Sequence, residues 1–342
     1  AVFTNFTQDH LDYHADMASY WAAKRMVFDW PGLQHAVVNT DDAQGQALAA
    51  ELAQRSDLDL WTVGRGEDAR LRAVAVSYTA AGMSIELQDK ECGRQTLHTA
   101  QFGEFNVNNL LGVVGCLRAW GVPLDAMAPA LARLPAVPGR LQRVTHAQTD
   151  AGQADGVAGP LVLVDYAHTP DALDKALAAV RPLAQQRGGQ LWCVFGCGGN
   201  RDATKRPVMG RIASERADEV IVTSDNPRLE DPAAIVAQVA AGCSGPARVR
   251  TVVDRGEAIA LALAEAAPAD VLLLAGKGHE DYQDAGGVKR PFLDAAVAAQ
   301  AQQRRVAQAA LPPLGELHAM LAARVPQAKL VGDAETVCRR VH

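Results

Sequence analysis

An α/β protein in two units, the second built on a doubly wound parallel sheet, is the fold class this sequence predicts. Three observations carry it. Five Val/Leu/Ile-rich runs between 161 and 276 each precede or follow an amphipathic helical stretch, the pattern of a parallel sheet covered on both faces. The first hundred residues change from a βαβ-like pattern to short alternating runs, and the Pro-rich stretch PAVPGR (135–140) separates the two regions.

In chain order, AVFTN is an apolar strand-like opening, and the segment from Gln8 to Trp30 places Leu11, Met17, Tyr20, Trp21, Met26, Val27 and Phe28 at helical spacing. HAVVNTD (35–41) reads as a buried strand, AQGQALAAELAQR as an Ala-rich helix and LWTVG as the next strand. LRAVAVSYTA, GMSIELQD and RQTLHTA alternate between short turns, which predicts an antiparallel meander, and NVNNLLGVVGCLRAWG and DAMAPALARL follow as helices. Beyond the hinge come LVLVDYA, helix 171–186, LWCVFGC, helix 205–217, EVIVTSD, helix 232–242, RVRTVVD, helix 255–266 and VLLLAG, then an Ala/Gln helix over 294–310.

With 342 residues, 49% of them hydrophobic, the chain can bury two cores. A net charge of −6 leaves no global basic field, so neither nucleic acid nor anionic lipid is an expected partner. Apolar runs such as 161–164 and 271–275 fall far short of the roughly 20 residues a membrane helix needs. Six cysteines without a CxxC pair are expected as buried thiols in a reducing, cytoplasmic setting. The chain opens without Met or a signal pattern and stops inside a β-like run, ETVCRRVH, so both ends are expected to be boundaries cut from something longer.

Ligands of doubly wound sheets sit at the carboxyl ends of the strands, which here read DYAHTP, GCGGNRD, SDNPR and GKGHED. GCGGNRD lets backbone N–H groups approach an anion, with Asn200 and Arg201 as directed donors, or is simply a tight strand-to-helix turn. It is not the dinucleotide fingerprint, because Arg201 stands where the third glycine is needed. In SDNPR, Pro227 fixes the backbone while Asp225, Asn226 and Arg228 could hold an ammonium and a carboxylate together; the alternative is an ordinary Asx-Pro turn. GKGHED offers Gly276 for close approach and Lys277, His279 and Glu280 as polar groups. Near the start, Asp9, His10, Asp12 and His14 are metal-ligand types; with no cysteine nearby, an oxygen-bound Mg²⁺ with at most one His is favoured over zinc, against the plain reading of a solvated helix face. Tyr20 and Lys24, four apart, share a face.

TNFTQDHLDYHADMASYWAAKRMVF, FGEFNVNN, PGR, DYAHTPDAL, FGCGGNRDATKRPVMG, TSDNPR and AGKGHEDYQ, in this order, resemble the Mur ligases, ATP-dependent acid–amino acid ligases of peptidoglycan synthesis. Within that family they are most similar to the branch that adds meso-diaminopimelate to UDP-N-acetylmuramoyl-L-alanyl-D-glutamate (the UDP-MurNAc-dipeptide). The resemblance implies part of an ATP-binding central domain over 1–135, a Rossmann-like amino-acid-binding domain over 136–311, and ATP with two Mg²⁺ as cofactors. It implies His10 as a Mg²⁺ ligand and Lys24 as the lysine that carries a CO₂-derived carbamate, which would present oxygens rather than an ammonium to the metal. Asn106 and Asn109 are implied near the adenine, Arg140 and Asp165 at the hinge and the ribose or phosphates, and His168 beside the nucleotide. Arg201, Asp225, Asn226, Pro227, Arg228, Gly276 and Glu280 match the residues that hold diaminopimelate. Arg228 selects the substrate, because lysine lacks the distal carboxylate and would leave the guanidinium buried and unpaired.

The departures matter as well. Gln142 stands where many relatives have Glu, and no GxxGK[ST] phosphate loop occurs anywhere in the chain. The fragment is therefore expected to be inactive alone. Residues 312–342 resemble the opening of MurF, another member of the family, and would make the parent a fused bifunctional polypeptide; the plain alternative is one more helix and strand of the same domain. The runner-up among enzymes is a folylpolyglutamate synthetase-like relative, against which SDNPR and GKGHED argue, and the alternative of a different class is a non-catalytic ligand-binding module.

Overall fold

The computed structural model describes residues 1–7, 14–79, 81–145 and 159–309. The chain divides into two compact units, Ala1–Ala136 and Val137–His342. His10, with Asp9 and Asp12, and the MurF-like stretch 312–342 lie outside the described residues.

The first unit runs β1 (Val2–Phe3), α1 (Met17–Arg25), β2 (His35–Asn39), α2 (Ala43–Leu52), β3 (Asp59–Gly64), β4 (Leu71–Thr79), β5 (Gly82–Asp89), β6 (Gly93–Thr99), α3 (Glu104–Ala119) and α4 (Leu124–Ala132). Its sheet follows chain order from β1 to β6. The β1–β4 pairings are parallel, and β4–β5–β6 form the antiparallel meander the alternation predicts. Asp42 starts α2 by accepting the N–H groups of Gln44 and Gly45. Val107, Leu110, Leu111 and Val114 recur at helical spacing along α3 and pack on Val37 and Val63, burying that face of the sheet.

The second unit runs β7 (Gln142–Arg143), β8 (Leu161–Asp165), α5 (Pro170–Arg187), β9 (Leu191–Phe195), α6 (Lys205–Arg216), β10 (Glu219–Val222), α7 (Pro232–Ala240), β11 (Arg248–Thr251), α8 (Arg255–Glu265), β12 (Val271–Ala275), β13 (Tyr282–Ala285), β14 (Val288–Pro291) and α9 (Asp294–Ala309). The strand order is β11-β10-β9-β12-β8-β7, parallel except for β7. β8, β9 and β12 are buried along their whole length, which is why they read as unbroken apolar runs. Alternate side chains of these strands, Val162, Val164, Trp192, Val194, Leu272 and Leu274, pack against Ile259, Leu263 and Ala298 of α8 and α9. α5, α6 and α7 pack in succession on the same sheet, so helices sheathe it as the doubly wound reading requires.

Two features differ from the sequence reading. The β13–β14 hairpin departs from the expected pattern, because YQDA and VKRP carry no apolar alternation; Gly286-Gly287 at its turn is its one local sequence signal. Cys92 is exposed rather than buried, since it lies in the β5–β6 turn, and Cys116 and Cys243 are only half-buried. Cys193 and Cys197 are buried, and desolvation pushes the Cys197 thiol up to about 11.

Candidate functional site

The parallel register aligns four strand ends. Asp165 pairs with Ala275, Ala275 with Phe195, and Phe195 with Val222, so the loops that follow β8, β12, β9 and β10 emerge side by side. All the strand-end motifs singled out in the sequence lie on these loops.

The loops after β9 and β10 are joined to each other. Gly199 N–H donates to the Asn226 carbonyl at 2.9 Å, Arg228 Nη1 donates to the Gly199 carbonyl at 2.7 Å, and Leu229 N–H donates to Asn200 Oδ1 at 3.0 Å. Glu230 accepts from Asn200 N–H and is forked by Arg206, both bonds 2.9 Å long, with Arg206 only 1% exposed. Arg228 is tied to the hairpin as well, its N–H donating to the Asp284 carbonyl at 2.9 Å and its own carbonyl accepting from Gly286. Asn200 and Arg228 hold φ of 50° and 53°, and Leu141 holds 44°; these are the positive-φ residues other than glycine among the described ones, and all border this end of the sheet. Arg201 is exposed, and Gly198 lies between it and Arg228: a methyl group there would stand 2.8 Å from Arg228 Nη1 and 3.9 Å from Arg201 Cγ.

Asn226 is the hub of the next layer. Its Nδ2 donates to Glu280 Oε2 at 2.7 Å, and its Oδ1 accepts from Asp284 N–H at 2.9 Å and Lys277 Nζ at 3.3 Å. Asp225 is buried, and no described residue donates a hydrogen bond to its carboxylate. Desolvation pushes that carboxyl above its ordinary value, against the pull of Arg255 and Lys277. Gly276 gives Asp225 its room, since a Cβ there would lie 2.6 Å from Asp225 Oδ2.

A second group sits at the end of β8. Tyr166 has His168 at 4.6 Å and His279 at 5.3 Å between ring centroids, with the Arg140 guanidinium 5.4 Å from its ring. Asp165 faces inward, its carboxylate accepting from the N–H groups of Leu141 at 2.8 Å and Ala167 at 2.9 Å; burial nevertheless raises its pKa. Gln142 closes the same turn by accepting Gly139 N–H at 2.9 Å. The GKGHED loop touches both groups, through Lys277 and Glu280 on one side and His279 on the other.

In the first unit, Lys24 Nζ lies 4.9 Å from the Tyr20 ring, on the shared face expected of them. Asn106 is buried and donates to the Phe102 carbonyl at 2.7 Å, while the exposed Asn109 donates to Asn106 Oδ1 at 3.4 Å. Among the described residues no three His, Cys, Asp or Glu side chains converge as a metal centre. No helix of the described residues is long and apolar enough to cross a membrane.

Reading the sequence did not identify Arg206, Glu230, Arg255 or Asp294. Each is a charged residue buried by, or anchoring, a partner 24 or 39 positions away, a separation no local spacing reports.

The comparisons with known proteins agree with one another. Residues 1–117 match the Mur ligase middle domain and residues 139–278 the Mur ligase glutamate ligase domain. A relative from Acidovorax sp. (strain JS42), named UDP-N-acetylmuramoyl-L-alanyl-D-glutamate–2,6-diaminopimelate ligase, is 57% identical over 89% of this chain and 58% of its own length. Its namesake from Pseudomonas aeruginosa is 47% identical over 86% of this chain and 57% of its own. A solved structure bearing the same name superposes with a TM-score of 0.65 at 34% identity, covering 89% of this chain and 60% of the other. A Mycobacterium tuberculosis folylpolyglutamate synthase, at 21% identity and a TM-score of 0.55, shares the fold. The chain thus spans somewhat over half the length of the curated relatives it matches. With two successive domain models from one family matching in order, and the motifs of the second meeting at one end of its sheet, the chain belongs to the Mur ligase family.

Proposed function

We propose that this chain is the part of an ATP-dependent ligase that binds meso-diaminopimelate for joining to UDP-N-acetylmuramoyl-L-alanyl-D-glutamate. In that reaction ATP phosphorylates the dipeptide's carboxylate to an acyl phosphate, releasing ADP, and the amine of diaminopimelate attacks it to form the amide and release phosphate. The observation that carries the reading is Arg228: a guanidinium held in a left-handed backbone by the Gly199 carbonyl and the hairpin, two residues from the Asn226–Glu280 pair. Cation and carboxylate at that spacing match a ligand bearing both an ammonium and an extra carboxylate.

In this reading Arg228 and Arg201 take the distal carboxylate, and Asp225, Asn226 and Glu280 take ammonium and amide contacts. Pro227 and Gly276 shape the backbone around them. Arg140, Tyr166 and His168 face the nucleotide, and Asp165 acts by holding Leu141 in place. Asn106 and Asn109 belong to the nucleotide side of the first unit. His10 and a carbamate on Lys24 would hold Mg²⁺, which would offset the charge of the phosphates. ¹³C-bicarbonate labelling of the chain tests that modification, a carbamate carbon assigned to Lys24 being the expected signal.

The test of the substrate is a calorimetric or NMR titration of the chain with meso-diaminopimelate, L-lysine and L-glutamate. Diaminopimelate should bind at least tenfold more tightly than lysine. Preference for glutamate would favour the folylpolyglutamate-type alternative, and equal weak binding of all three would refute the reading. Without a phosphate loop the chain alone should neither hydrolyse ATP nor ligate.

A further inference from the structure

Lys277 has no solvent exposure, yet its ammonium touches two side chains proposed above as ligand contacts. Its three N–H donors have three acceptors: the Tyr282 carbonyl at 2.6 Å, Glu280 Oε2 at 3.2 Å and Asn226 Oδ1 at 3.3 Å. With every donor used and the side chain wholly covered, Lys277 is not itself available to a ligand.

The consequence falls on its neighbours. Asn226 Oδ1 accepts both Lys277 and Asp284 N–H, which fixes the amide with its nitrogen toward Glu280. Glu280 Oε2 then receives two donors, Asn226 Nδ2 and Lys277 Nζ, while no described residue donates to its Oε1. Glu280 keeps about a fifth of its side chain exposed, so that second oxygen is the group left to meet an incoming cation. Removing the ammonium leaves Asn226 Oδ1 held by Asp284 N–H alone and Glu280 tethered by one bond. The Arg228 arm is anchored by Gly199, Asp284 and Gly286, with Asp284 the one residue it shares with the Asn226 network and no bond of its own to Lys277.

We infer that Lys277 is a positioning residue for ammonium recognition, setting the direction of Glu280 through Asn226 while leaving carboxylate recognition to Arg228. The inference rests on the diaminopimelate reading given above. It predicts that amine and carboxylate recognition can be separated by one substitution that touches neither group of the ligand.

The experiment is a titration of the 342-residue chain and its Lys277→Met variant with meso-diaminopimelate and with 2-aminopimelate, which keeps both carboxylates and lacks one amine. The wild-type chain should prefer diaminopimelate by about tenfold, the worth of one charge-assisted hydrogen bond. In Lys277→Met that ratio should fall toward one while 2-aminopimelate still binds. A lysine needed only for folding would weaken both ligands by the same factor, and an unchanged ratio in the folded variant overturns the inference. Should Lys277→Met fail to fold, the Nζ resonance of Lys277 in the wild-type chain decides. It should move on adding diaminopimelate and not 2-aminopimelate, and equal shifts overturn the inference. If the wild-type chain binds neither compound, the diaminopimelate reading itself fails. If it binds both equally, only the role of Lys277 does.

Discussion

Arg255 and Asp294, 39 positions apart, form a forked ion pair at 2.6 and 2.7 Å with neither side chain exposed. The remaining guanidinium donors reach the carbonyls of Ser224 at 3.2 Å and Ala275 at 2.9 Å, so the pair ties the ends of β10 and β12 together directly behind Asp225 and Gly276. Burial works against the charge on Arg255, and Asp294 above all, with Asp225 and Cys193 adding to it, more than restores it. Replacing Asp294 with Ala strands a buried cation and should cost about 3–5 kcal/mol in urea unfolding. The double replacement Arg255→Met with Asp294→Leu should recover most of that loss. Equal instability of the single and double variants would contradict the pairing argument.

Asp225 gives a pH-dependent prediction. Burial raises its folded pKa, so the native chain holds that proton more tightly than the unfolded chain does. Ionisation at neutral pH therefore costs stability, and the cost disappears as pH falls through the raised value toward the ordinary one. Asp225→Asn should melt higher than the wild type at pH 7, by roughly 2 °C, with the gap closing near pH 4. Calorimetry across that range checks it, and diaminopimelate binding should weaken in the same variant.

Arg228 makes the opposite exchange. Its left-handed backbone costs a non-glycine residue about 1–2 kcal/mol, so Arg228→Gly should be as stable as the wild type or more so. The same variant should lose at least tenfold in affinity for diaminopimelate, and lysine should be affected much less. Chemical denaturation and the titration described above read the two effects on one protein.

Gly139 and Gly188 share a φ of 68° but have different neighbours. A Cβ on Gly188 meets nothing within 4 Å, whereas one on Gly139 would stand 2.3 Å from the His279 amide nitrogen. Gly188→Ala should then cost only the backbone term, about 1 kcal/mol. Gly139→Ala has to push backbone against backbone and should cost clearly more, with altered His279 and Tyr166 resonances. Similar losses in the two variants would show that the turn yields easily.

Much of the second unit was legible in its sequence because β8, β9 and β12 are covered on both faces, and such strands can only be written as unbroken apolar runs. The β13–β14 hairpin escaped because its strands carry side chains that are at best partly buried, which imposes no periodicity. Within the site, Asn226, Arg228 and Glu280 were visible as motif residues. The pairing of Arg206 with Glu230 was not, since a buried ion pair joins whatever the fold makes adjacent. Lys277 was noticed as one polar residue of its loop, but its role depends on having no exposure at all, a property only the assembled structure carries.

The level alignment of Asp165, Phe195, Val222 and Ala275 has an evolutionary corollary. The strands below that line answer to packing, and in the diaminopimelate reading the loops above it answer to the ligand. Drift at an exposed loop position such as Arg201 would then retune which amino acid is accepted, while Asp225, Asn226 and Lys277, buried like the strands themselves, hold their places.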